Sequence, residues 1–151
     1  MAEGRGDHRA TALRRPASDL EGGQADGQPW IAKARRTLAS AADLAGRDPD
    51  SAYVLAYDAA RFACTALLNH QGLRPTTTGG HYAVDVAIRE QFGGPFEQFG
   101  GMRRQRNELE YRFAIESVTS SDADHAVTLA TQLVDTAERV LPHLGLFGVS
   151  R

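Results

Sequence analysis

Asp50-Ser51-Ala52-Tyr53-Val54-Leu55-Ala56-Tyr57-Asp58-Ala59-Ala60-Arg61-Phe62-Ala63-Cys64-Thr65-Ala66-Leu67-Leu68-Asn69-His70-Gln71 is the stretch on which the fold is decided. Tyr53, Ala56, Tyr57, Ala60, Cys64, Leu67 and Leu68 recur at the three- and four-residue steps of an α-helix and build one wide apolar stripe. Asp58 and Arg61 fall on the opposite side, three apart, where they can pair. Asp48 is placed to cap the helix, Pro49 fits its first turn, and Gly72 closes it.

The same period continues on both sides. Upstream, Ile31, Ala34, Leu38, Ala41 and Ala45 mark a helix that starts near Trp30 and stops at Gly46. Downstream, Arg74 to Gly80 reads as a loop, and a shorter helix follows from about His81 to Gln91, with Tyr82, Val86 and Phe92, or Ala83 and Ala87, as inward residues. Gly93-Gly94-Pro95 breaks it. A fourth helix is expected from about Pro95 to Phe113 on the stripe Phe99, Met102, Leu109 and Phe113. A fifth, capped by Ser120 or Ser121, carries Ala126, Ala130, Leu133, Ala137 and Val140 or Leu141, and ends at Pro142 and Gly145. No segment alternates as a strand would, so no sheet is expected. The fold class is all-α: a four- to five-helix up-and-down bundle, residues 29–147, behind a disordered tail, residues 1–28, rich in Gly, Asp, Arg and Ala.

The chain has 151 residues, enough for one ordinary domain, and 42 % of them are hydrophobic, enough for a core. The formal net charge is -2, so a nucleic-acid site would have to be a local basic patch. The single cysteine, Cys64, excludes an internal disulfide and a zinc site built on paired cysteines, and it sits on the core stripe as a packed thiol. The histidines have no metal-binding spacing, and no cofactor fingerprint is present, so neither metal nor cofactor is expected. No apolar run approaches the roughly 20 residues of a membrane span, and no leader pattern opens the chain. The expectation is a cytoplasmic protein with no membrane partner.

Met102-Arg103-Arg104-Gln105-Arg106-Asn107-Glu108-Leu109-Glu110-Tyr111-Arg112-Phe113 is the segment that can carry chemistry. Arg106 follows Met102 by four and precedes Leu109 by three, so it lies on the apolar stripe of its own helix. A guanidinium there must pair, reach water or face a cleft, because a lone buried charge costs several kcal/mol. Glu110, one turn on, is the ready partner. Asn107 and Tyr111 share one side of the helix. Together with Arg106 they offer donors, an acceptor and a planar cation suited to a phosphodiester. Arg103, Arg104 and Arg112 add positive charge, offset by Glu108 and Glu110. Gly79-Gly80-His81 opens a helix with free backbone N–H groups, and His81 is a candidate contact to an anion there.

Ser51-Ala52-Tyr53 through Ala59-Ala60-Arg61, then Ala66-Leu67-Leu68, Gly80-His81 and Arg106-Asn107, resemble a HEPN domain over roughly Trp30 to Leu144. The resemblance implies a bundle of four or five helices that forms a homodimer. In the family's ribonucleases an Arg, often followed by Asn, precedes a His by four to six residues. Two such motifs meet at the dimer interface and cleave RNA without metal. Many members act as toxins or in phage defence, beside a nucleotidyltransferase or antitoxin partner. On this resemblance Arg106, Asn107 and Tyr111 are the catalytic candidates, and Arg103, Arg104, Arg112 and His81 the nucleic-acid-binding ones. Tyr111 stands where a His would fall, and the next His is His125. An unperturbed phenol, with a pKa of about 10, is a poor base. The resemblance therefore implies either an endoribonuclease or a catalytically degenerate module that binds RNA, a nucleotide or a protein partner.

Overall fold

The computed structural model describes residues 13–14, 25–75, 80–111 and 118–145. Five helices carry the fold: α1 (Gln28–Leu44), α2 (Pro49–His70), α3 (Gly80–Phe92), α4 (Phe99–Tyr111) and α5 (Ser120–Val140). The expected all-helical bundle is what the chain forms.

α2 is the central element. Ala52, Tyr53, Ala56, Tyr57, Ala59, Ala60, Phe62, Ala63, Cys64, Ala66, Leu67 and Leu68 are all buried along it. This burial is wider than a single stripe because α2 packs against α1, α5, α3 and α4. Its ends follow the sequence: the Asp48 carboxylate accepts from the Ser51 N–H at 3.2 Å, Pro49 sits in the first turn, and Gly72 takes the positive φ that ends the helix. α1 buries Ile31, Ala34, Leu38 and Ala41, and α5 buries Ala123, Ala126, Ala130, Leu133, Val134 and Ala137. Both stripes have the spacing read from the sequence.

Contacts at the helix ends fix the directions. Gly27, just before α1, donates its N–H to Nδ1 of His70 at the end of α2, at 3.2 Å, so α1 and α2 are antiparallel. A Cβ on Gly27 would fall 2.3 Å from the carbonyl oxygen of Ala66 and 2.7 Å from Leu141, so only glycine allows this approach. Asp50, at the start of α2, accepts from the Val118 N–H just before α5, at 3.0 Å, and Leu141 closes the other end, so α5 runs parallel to α2. Phe99 stacks on Tyr57, with ring centroids 5.6 Å apart and planes 7° from parallel, whereas Glu110 lies beside Asp50 and Ser51. α4 is therefore antiparallel to α2. The four long-range partners α1, α2, α4 and α5 alternate in direction, and α3 is the short helix inserted between α2 and α4.

Four local details differ from the sequence reading. Residues from Pro95 do not begin the fourth helix: Gly94–Gln98 is a separate 3₁₀ turn, because Gly93 and Gly94 adopt φ of 55° and 51° and break the helical path before Phe99. Thr119, not Ser120 or Ser121, caps α5. Its hydroxyl accepts from the Asp122 N–H, and the Asp122 carboxylate accepts from the Thr119 N–H, both at 3.0 Å. Leu13–Arg14 and Arg74–Pro75 pair as a two-residue antiparallel bridge, too short to show alternation in sequence. The residue before a proline favours extended backbone, which suits Arg74 to that pairing. The packed chain also begins earlier than residue 29, since Ala25 is buried and Gly27 is seated against α2. The remainder of the expected tail, 1–12 and 15–24, lies outside the described residues, as do Phe113 and the side chains of Tyr82 and Ala83.

Among the described residues, no helix is long and apolar enough to cross a membrane.

Candidate functional site

The site is built where α4 crosses the first half of α2. Phe99 and Met102 are buried and hold α4 against Tyr57, so the next turn of α4 is presented at the edge of α2. Arg106 emerges there. Its side chain is 24 % exposed, and Nη1 donates to Oε2 of Glu110 at 2.7 Å. Nε of Arg106 is buried and has no hydrogen-bond acceptor. The ion pair anticipated from the four-residue spacing forms, but it occupies only part of the guanidinium.

Arg106 lines an open groove of about 520 Å³ together with Asp50, Ser51, Val54, Leu55, Leu109 and Glu110. The floor is the one stripe of α2 that is not fully buried: Ser51, Val54 and Leu55, followed by Asp58, Arg61 and Thr65. At this end the groove is apolar apart from Ser51, the two carboxylates and Arg106. Arg61 and Arg103 join Arg106 in the surroundings of the Tyr57 hydroxyl, and Asp58 lies 3.8 Å from Arg61.

Burial pushes the Tyr57 phenol up to about 12, against the pull of Arg61, Arg103 and Arg106 toward lower values. The phenol therefore stays protonated near neutral pH and is no general base. It is a neutral group stacked on Phe99, with the charges of three guanidiniums acting on it. A guanidinium at a groove rim, as Arg106 is, can hold an oxyanion with charge-assisted hydrogen bonds and can stabilise charge developing on a phosphoryl group.

Asn107 is partly buried beside Arg106, Arg103 is partly buried, and Arg104 is exposed. Tyr111 is the last residue of α4 and His81 belongs to the first turn of α3, but their side chains lie outside the description, and Arg112 lies outside the described residues. Arg106 and Arg103 are thus the sequence candidates that the structure brings to one place. Sequence reasoning assigned Tyr57 to the core and Arg61 to a surface pair, and so missed both. The available signal was the Tyr57–Arg61 spacing of four, which puts a cation one turn above a tyrosine on an otherwise apolar, alanine-rich helix.

Among the described residues, no group of three His, Cys, Asp or Glu side chains is placed to hold a metal ion. His70 is engaged with Gly27, and among the described residues no histidine lines the groove around Arg106. Compared with known proteins, the chain matches no family model, no curated protein and no solved structure.

Proposed function

We propose that the chain is a HEPN-type protein directed at RNA, with Arg106 as the residue that meets the phosphodiester. The observation that carries this reading is the position of Arg106. It stands half-buried at the rim of a groove, tied to Glu110 through one nitrogen, and its charge acts with those of Arg61 and Arg103 on the Tyr57 phenol. A guanidinium so placed is pre-oriented, and it keeps donor capacity for a phosphate.

In the ribonuclease reading two copies associate over the apolar end of the groove, at Val54, Leu55 and Leu109, and bring two Arg106 residues to a composite site. The RNA 2′-oxygen attacks phosphorus, the bond from phosphorus to the 5′-oxygen breaks, and a proton leaves the 2′-hydroxyl while another reaches the leaving oxygen. Arg106 stabilises the charge on the non-bridging oxygens. Tyr111 and Asn107 are the neighbouring groups assigned to orientation and proton handling. A toxin or phage-defence role, with an antitoxin or nucleotidyltransferase-type partner, belongs to this reading.

The second reading is a binding module without cleavage. It is favoured by a specific observation: among the described residues the groove lining includes no imidazole, and burial keeps the nearby Tyr57 phenol protonated. One experiment separates the two. Wild type and Arg106→Ala are incubated with labelled total RNA in EDTA across pH 6 to 9. Cleavage by wild type alone supports the ribonuclease. Binding by wild type without cleavage, lost in Arg106→Ala, supports the module. RNA handling that is indifferent to Arg106 rejects both.

A further inference from the structure

The groove beside Arg106 carries one charge that nothing answers. Arg106 holds Glu110 at 2.7 Å, and further along α2 Arg61 lies 3.8 Å from Asp58. Asp50 has no such counterpart. It is exposed, and its carboxylate accepts from the Val118 N–H at 3.0 Å, yet among the described residues no cation pairs with it. Val54, Leu55 and Leu109, all partly exposed, line the same groove. Among the described residues the lining is therefore largely apolar, with two carboxylates against a single guanidinium. Its shape follows from its two walls. α2 and α4 run antiparallel, and the furrow between two such helices is a seat for a third. Asp50 to Leu55 covers about 7.5 Å at the helical rise, which is more than one turn, so a helix lying there sets down two apolar residues three or four apart.

We propose that this groove docks an amphipathic helix of a partner protein, with an arginine or lysine placed one turn from its apolar pair. The apolar pair covers Val54, Leu55 and Leu109, and the cation meets Asp50. Charge selects this occupant. An acidic helix would bring further negative charge to Asp50 and Glu110, and like charges at close range cost affinity. A second copy of the chain, docked about a two-fold axis, would set the patch against itself and so bring the same carboxylates together. A cation-bearing helix neutralises Asp50 and leaves the Arg106–Glu110 pair in place. The inference rests on the reading of Arg106 given above and adds the regulation of that site. A helix in the groove covers the seam assigned to the second copy and stands beside Arg106, so the partner holds the site closed.

The probe is a helix-forming peptide of about 15 residues, with leucines at alternating three- and four-residue steps flanked by arginines, and a twin in which glutamates replace the arginines. Each is titrated against the full chain by calorimetry. The arginine peptide is expected to saturate a single site per chain, and the glutamate twin to bind at least about ten-fold more weakly. Asp50→Asn, which keeps an acceptor for the Val118 N–H, should weaken the arginine peptide about three-fold. Glu108→Gln, a change at an exposed α4 carboxylate outside the lining, should leave it unaltered. No binding, equal binding of the two peptides, or equal losses in Asp50→Asn and Glu108→Gln overturns the inference. A dimer in sedimentation that the arginine peptide does not dissociate overturns it as well and gives the groove to the second copy. The RNA reading is tested apart from it, with Arg106→Ala and RNA in the absence of peptide, so either can fail alone.

Discussion

In the RNA reading proposed above, Glu110 competes with a phosphate for Arg106, and removing its charge should move stability and RNA affinity in opposite directions. The pair is one helical turn apart and mostly solvated, with Glu110 56 % exposed and Arg106 24 % exposed. After discounting for solvent, such a pair stabilises a helix by about 0.3–0.5 kcal/mol. Glu110→Gln should therefore lower the melting temperature by only about 2 °C. A phosphate on the remaining donors of Arg106 shares its charge with the Glu110 carboxylate, so removing that carboxylate should tighten RNA binding by a comparable amount, roughly two-fold in Kd. Freeing one cation should also steepen the salt dependence by up to about 0.7 in slope. The assay is anisotropy of a labelled, 2′-O-methylated oligonucleotide over a salt series, with thermal melts of both proteins in the same buffer. Unchanged or weaker binding by Glu110→Gln, with the small melting shift present, would refute the competition and reassign Glu110 as a group the RNA itself needs.

Two further outcomes follow from the packing. Gly27→Ala should destabilise the fold by at least about 1–3 kcal/mol in urea melts, because the new methyl meets the Ala66 carbonyl, which is backbone and cannot turn aside. Tyr53 and Tyr57 are both raised to about 12 by burial, so the unfolded chain loses their protons near pH 10 while the folded chain holds them. The stability these phenols contribute is thus complete below about pH 10 and is lost as pH rises toward 12. Tyrosinate absorbance near 295 nm should show these two residues ionising together with unfolding, and Tyr57→Phe should flatten the alkaline limb of the stability profile.

The bundle was legible because its signals are local. The α2 stripe, the Asp48-Pro49 start and the Gly72 stop each act within a few residues, and each appears where the period places it. Thr119 was passed over for its serine neighbours because the deciding contact is the reciprocal one with Asp122, and several capping residues stand side by side in Thr119-Ser120-Ser121. Ile88 and Phe96 are buried without having been foreseen: one lies in a short helix where two faces looked equally apolar, the other in a 3₁₀ turn with no stripe of its own. The site was legible only along a single helix. Spacing predicted the Arg106–Glu110 pair. The gathering of Arg61, Arg103 and Arg106 around Tyr57 depends on how α4 lies across α2, and no period within either helix encodes that.

The alanines of α2 set a dimension. Ala52, Ala56, Ala59, Ala60, Ala63 and Ala66 meet further alanines at positions 34 and 41 of α1 and 123, 126, 130 and 137 of α5. Helices that face one another through methyl groups approach toward the lower end of the 8–10 Å range of axis separations. Between α2 and α4 the stacked rings of Tyr57 and Phe99 take the place of methyl groups. The molecule is thus tight on one flank and propped open on the other. The groove opens on the ring-spaced flank, between α2 and α4. A single added methylene in the alanine seam would have to push neighbouring helices apart, whereas the ring-spaced flank beside the groove already stands on larger side chains.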